Sequence, residues 1–178
     1  MNCTAKTFCA PVALLSCIWF VLFSCVACDR SSPIIEGGKA DRIIISKSNR
    51  NLILMNGSQP LRTYTVALGR GPVGAKMRTG DHQTPEGNYV IDTKKNHSRF
   101  HLALHISYPN QSDRERAQRA GIDPGGDIEI HGIENGLGWI GPLHRRMNWT
   151  DGCIAVTDDE MDEIWKLVPV GTPVEIRP

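Results

Sequence analysis

Five of the six cysteines lie at or before position 28 (Cys3, Cys9, Cys17, Cys25 and Cys28), and the rest of the chain holds only Cys153. A domain with one thiol closes no internal disulfide, so this fold cannot lean on cross-links and the thiol needs another explanation. Upstream, His131-Gly132 ends an apolar strand-like run. A thiol and an imidazole that the fold can bring together suggest a cysteine nucleophile activated by histidine.

The first residues read as an export segment. Lys6 is their one charge, Ala10 to Ala27 is uncharged and mostly apolar, and Asp29-Arg30 follows at once. That order fits a secretory signal over residues 1–28. It also fits a lipoprotein signal with Cys28 acylated, or an uncleaved anchor of roughly 20 apolar residues. Lipidation at Cys28 is the preferred reading. All three place the domain outside the cytoplasmic membrane, periplasmic or on its outer face, with the membrane as partner through signal or lipid.

The whole chain has 20 basic and 19 acidic residues, and removing 1–28 takes away only Lys6. A neutral domain with few aromatics carries no electrostatic footprint for nucleic acid, which is excluded as a partner. Residues 29–40, with Ser31, Ser32, Pro33, Gly37 and Gly38, read as a tether. The remaining 41–178, roughly 140 residues, are the usual size of one domain.

That domain reads as mainly β. Arg42–Ser46 and Leu52–Met55 are short aliphatic runs, and Asn56-Gly57 signals a hairpin into Leu61–Leu68. Gly69 to Gly80 is glycine-rich loop, and Thr84–Gly87 turns into a strand at Asn88–Asp92. Phe100–Tyr108 alternates, with Leu102, Leu104 and Ile106 on one face and His101, Ala103 and His105 on the other. Ser112 with Glu115 and Thr157 with Glu160 are spaced as capping boxes for two short helices. Ile128–His131 and Val174–Ile176 complete the strands.

The thiol needs a base to become thiolate, and backbone N–H groups to hold the oxyanion. Gly152, lacking a Cβ, permits a tight turn and close approach of a carbonyl before Cys153. Asp158-Asp159-Glu160 suit the start of a helix and are given no catalytic role. On composition and spacing alone a buried, inert Cys153 stays open.

The motif His131-Gly132, followed by Thr150-Asp151-Gly152-Cys153-Ile154, resembles the signature of the L,D-transpeptidase catalytic domain (YkuD-like) in its exported branch. Gly69–Gly74, Gly80-Asp81, Thr84–Gly87, Ser107–Asn110, Pro124–Gly126 and Val168–Ile176 extend the resemblance over nearly all of 41–178. It implies a mixed β-sandwich with two or more short helices, and acyl transfer on peptidoglycan stem peptides with no metal or cofactor. Cys153 is then the nucleophile, His131 the general base and acid, and Gly152 a backbone oxyanion donor. The acceptor is another stem, a wall-linked protein or water. The alternatives are an L,D-carboxypeptidase or an amidase releasing wall-linked protein, and a silent wall-binding module.

Two positions depart from the family pattern: Asp151 stands where many members have His, and Ala155 where many have Arg or Asn. His144, Arg145 or Arg146 is expected to supply a cation for a stem carboxylate, with Thr150 also at the substrate. His101 and His105 are too far apart along a strand, about 13 Å, to share a metal.

Overall fold

The computed structural model describes residues 38–71 and 73–178. The export segment 1–28, Cys28 and most of the 29–40 tether lie outside the described residues. Eight strands and two α-helices follow in chain order: β1 (Arg42–Ser46), β2 (Asn51–Asn56), β3 (Gln59–Thr65), β4 (Gly87–Ser98), β5 (His101–Ile106), α1 (Gln111–Ala120), β6 (Glu129–His131), β7 (Ile154–Ala155), α2 (Asp158–Leu167) and β8 (Pro173–Arg177). Two 3-10 turns occupy Gly138–Arg146, kinked at Gly141.

Alternation makes the strands. In β1, Ile43 and Ile45 are fully buried between more exposed neighbours, and Leu52 and Leu54 repeat the pattern in β2. Asn56 pairs with Gln59 across the Gly57-Ser58 turn, where Gly57 takes φ +58° at no steric cost. The sheet order is β3-β2-β1-β8-β4-β5-β6-β7. The β1–β8 and β6–β7 pairs are parallel and the others antiparallel. Beyond β3, Ala67 exchanges two backbone hydrogen bonds with Ala155 of β7, at 2.9 and 2.8 Å. The sheet therefore curls until its ends meet, and one curled sheet makes the sandwich.

Inside the curl lie Ile43, Ile45, Leu52, Leu54, Ile91, Leu104, Ile106, Ile130 and Ile154, all fully buried, with Met161 and Ile164 of α2 joining them. Thr157 caps α2 in the expected box with Glu160.

Three local expectations are corrected. Helix α1 is capped by Asn110 with Asp113, not by Ser112 with Glu115. The buried Asp113 carboxylate also accepts from Arg116 within the helix (2.8 Å) and from Tyr89 of β4 (3.1 Å), and the Tyr89 contact from outside the helix fixes where it starts. Strand β4 runs six residues past Asp92, because its polar end pairs with β5 rather than burying apolar surface. The third strand ends at Thr65 instead of Leu68, with Ala67 crossing to β7.

Candidate active site

Parallel pairing of β6 with β7 sets Ile130 beside Ile154 and His131 beside Ala155. Continuing that register one residue back puts Glu129 beside Cys153. Directly paired residues share a sheet face, so Cys153, Glu129 and His131 point the same way, away from buried Ile130 and Ile154. The row extends across the sheet: Lys95 of β4 pairs with Ala103 of β5, and Ala103 with His131. His105 pairs with Glu129 in the neighbouring row.

His131 is buried, and its Nδ1 lies 2.7 Å from the Gly132 carbonyl. A carbonyl only accepts, so Nδ1 carries the proton and Nε2 is left as the basic nitrogen. Phe100 lies against the imidazole with ring centroids 4.5 Å apart, and Trp149 meets it edge-on at 5.8 Å. Burial lowers the His131 pKa, against the raising effects of the Gly132 carbonyl and Glu129. The imidazole is therefore neutral at rest. Asp158, at the start of α2, accepts the Ile133 N–H at 2.8 Å. A Cβ on Gly132 would meet the same carboxylate at 2.6 Å. Asp158 thus anchors the chain just after His131, beyond its dipole role.

The half-buried Cys153 donates to the Asp127 carbonyl at 3.5 Å in this structure, rather than to His131. Burial pushes its thiol up to about 11; Glu129, Asp151 and Asp127 push the same way, while the Glu129 backbone N–H favours the thiolate. Thiol and imidazole both rest uncharged. Lys95 is the near cation, with Nζ 2.6 Å from Glu129 and 3.9 Å from Asp127.

Close backbone packing builds the turn around the thiol. Gly152 has φ +124°, and a Cβ there would meet the Gln83 carbonyl oxygen at 2.6 Å. Gly69 and Gly71 back onto the His82 carbonyl in the same way. Backbone hydrogen bonds from Arg70 to Thr150 (3.0 Å) and from Thr150 to Leu68 (3.2 Å) tie the first glycine loop to the Thr150–Cys153 turn. The Asp151 carboxylate is held by Arg70 at 2.7 Å and His82 at 2.8 Å. Where the family pattern has an imidazole in the motif, this chain brings one in from the neighbouring loop. Ala155, the other departure, is fully buried between His131 and Ala67, where its methyl fills the space.

Three of the remaining predicted residues, Thr150, His144 and Arg145, are engaged with other partners. Thr150 is buried, donating to the Cys153 carbonyl (2.7 Å) and accepting the Gly152 N–H (3.2 Å), so both hydroxyl and glycine amide are used within the turn. His144 is buried and accepts from the Trp149 indole at 3.3 Å. Burial, then Arg145, push its pKa down to about 4, so it supplies no cation at neutral pH. The Arg145 guanidinium is committed to Glu160 of the α2 cap. Arg146 stands exposed beside an apolar pocket of about 330 Å³ that Leu137, Leu143 and Met147 help to line. Among the described residues, no three His, Cys, Asp or Glu side chains group as a metal site. Lys95, Arg70, His82 and Phe100 were missed. Only the polar face of β5, where Ala103 and His105 alternate with the core residues, pointed toward this side of the sheet.

Comparison with known proteins fits this geometry. Residues 40–176 match the YkuD model, the L,D-transpeptidase catalytic domain. YafK of Escherichia coli (strain K12), whose name assigns it to the L,D-transpeptidases, is 30% identical over 112 residues, 62% of this chain and 38% of that protein. The helical cell shape determining protein Pgp2 of Campylobacter jejuni matches 79% of this chain and 48% of its own, with a TM-score of 0.58 and 21% identity. An L,D-transpeptidase of Xylanimonas cellulosilytica matches 81% of this chain and 63% of its own, with a TM-score of 0.53 and 17% identity. The two structural likenesses are likenesses of fold. This chain spans less than two thirds of each of the three.

Proposed function

The chain belongs to the L,D-transpeptidase catalytic-domain family, and from that premise we propose that it is a cysteine acyltransferase acting on peptidoglycan stem peptides outside the cytoplasmic membrane. The observation that carries the reading is the shared sheet face of Cys153 and His131, with Nδ1 of the base committed to the Gly132 carbonyl. A base fixed in that tautomer keeps Nε2 unprotonated and able to accept the thiol proton.

In the reaction, rotation about the Cys153 Cα–Cβ bond takes the thiol from the Asp127 carbonyl to Nε2. Catalytic hydrogen bonds of this kind tighten once substrate is bound. The proton moves to His131 and the thiolate attacks the diaminopimelate carbonyl carbon. The Cys153 backbone N–H is the donor assigned to the oxyanion, since that of Gly152 is taken by Thr150. The C–N bond then breaks, and the imidazolium protonates the departing D-alanine amine. An amine or water attacks the thioester, gives its proton to His131, and the thiol leaves.

Because both groups rest neutral, the thiolate forms only together with the imidazolium, which protects an exported thiol from oxidation between turnovers. The signal reading of 1–28, with Cys28 lipidated, holds the enzyme at the membrane surface near its polymeric substrate.

The test is incubation of the purified chain and its Cys153→Ala variant with diaminopimelate-containing tetrapeptide muropeptides, followed by mass spectrometry. D-alanine release by the native protein alone, with a thioester mass on the Cys153 peptide, is the expected result. Cross-linked products identify transfer and shortened stems identify hydrolysis. Equal behaviour of the two proteins would overturn the enzyme reading in favour of a silent wall-binding module.

A further inference from the structure

We propose that Lys95 is a positioning residue for the nucleophile: its ammonium holds the Glu129 carboxylate, and so lets Cys153 carry negative charge when it attacks. The proposal rests on Cys153 being the nucleophile, as above.

The argument begins with Glu129. Register puts its side chain next to Cys153 on the same face, and the carboxylate is only 13% exposed. Solvent screens a buried carboxylate poorly, so its field reaches the sulfur and opposes thiolate. Asp151, the other side's acid, is 71% exposed and already paired with Arg70 and His82. Asp127 is 90% exposed. Glu129 is therefore the carboxylate that needs a dedicated partner, and Lys95 meets it at 2.6 Å.

The other groups facing the thiol do not take that place. His131 is buried and neutral, and His105 is bound to Asp92 at 2.6 Å. Lys95 reaches Glu129 because of the fold. The polar end of β4, Thr93–Ser98, contributes no residue to the core; it pairs with β5 and sets Lys95 in the row Lys95, Ala103, His131. Ala103 between them carries only a methyl and is fully buried. Lys95 feels Glu129 first, then Asp127 and Cys153 itself, and is held more strongly protonated by all three.

The experiment needs no substrate, so its failure is separable from failure of the proposed reaction. Iodoacetamide alkylation is followed against pH on the full chain, by mass spectrometry of the peptide carrying Cys153. Wild type is compared with Lys95→Met, Lys95→Arg, Glu129→Gln and the Lys95→Met/Glu129→Gln double variant, each with a thermal melt as folding control.

An opposite charge within about 4–6 Å moves a pKa by about one unit or more, which is about tenfold in ionisation. Lys95→Met is therefore expected to react about tenfold more slowly at pH 8, with its profile displaced to higher pH. Lys95→Arg keeps the wild-type profile, Glu129→Gln reacts faster, and the double variant returns toward wild type. A folded Lys95→Met with an unmoved profile overturns the proposal. So does a double variant as slow as Lys95→Met, which would mean that Glu129 is not the intermediary. If Lys95→Met does not fold, Glu129→Gln alone decides, and an unchanged rate there refutes the role.

Discussion

Asp81 lies in the loop that packs against Gly152 through the Gln83 carbonyl. Its Oδ2 accepts backbone N–H groups from Met77 (2.7 Å) and Arg78 (2.9 Å). Its Oδ1 accepts from Gln83 N–H (3.1 Å) and from the buried Lys76 ammonium (2.9 Å). Burial by itself would raise this carboxyl, but the backbone donors and Lys76 overcome it and hold the pKa down to about 2, from an ordinary 3.8. A depressed acid stabilises fully above its unfolded pKa and loses that contribution as pH falls through the folded one. Stability is therefore expected to fall by about 2 kcal/mol between pH 4 and pH 2 from this group. Urea midpoints across that window check it: Asp81→Asn should already be weaker at pH 7 and show a flatter acid slope. The same slope in both proteins would rule out the assignment. The loop also carries His82 and Gln83 to the nucleophile turn, so Asp81 links fold stability to the site.

Helix α2 and helix α1 separate stability from function. Both start with complete capping boxes, at Thr157 with Glu160 and at Asn110 with Asp113. Loss of a cap side chain costs about 1 kcal/mol. Asn110→Ala should lower stability by that amount and leave turnover unchanged, because α1 carries no site residue. The first residue of α2 has a second duty, since Asp158 accepts the Ile133 N–H two positions after His131. Asp158→Ala is expected to lower kcat about tenfold with KM nearly unchanged, since a loosened base loses alignment rather than substrate affinity. Steady-state kinetics on both variants, beside their melts, distinguishes the two roles. The spacing Thr157 to Glu160 revealed one box correctly. The other was misplaced by two residues because Ser112 with Glu115 satisfies the same spacing rule. What settles the choice is the contact of Asp113 with Tyr89, far away in the chain.

The final strand holds the architecture together. β8 lies between β1 and β4, parallel to the first and antiparallel to the second, and buries Val174 and Ile176. Removing it would open the ladders on both neighbours and separate the β1–β3 hairpins from the strands that carry Lys95, His131 and Cys153. A chain ending at Thr172 is expected to show no cooperative melt by circular dichroism; a sharp transition near that of the full chain would contradict this topology. Joining of the curl at Ala67 and Ala155 is likewise a property of the assembled sheet. From residue order alone came the strand alternation, the Asn56-Gly57 turn, the α2 cap and the thiol and imidazole to watch, because each rests on neighbours within a few positions or on residue chemistry itself. Lys95 beside Glu129, His82 on Asp151, the neutral His144 and the engaged Arg145 came from the folded chain. Those depend on which distant residues share a register row and how deeply each charge is buried, and pairing across the sheet fixes both.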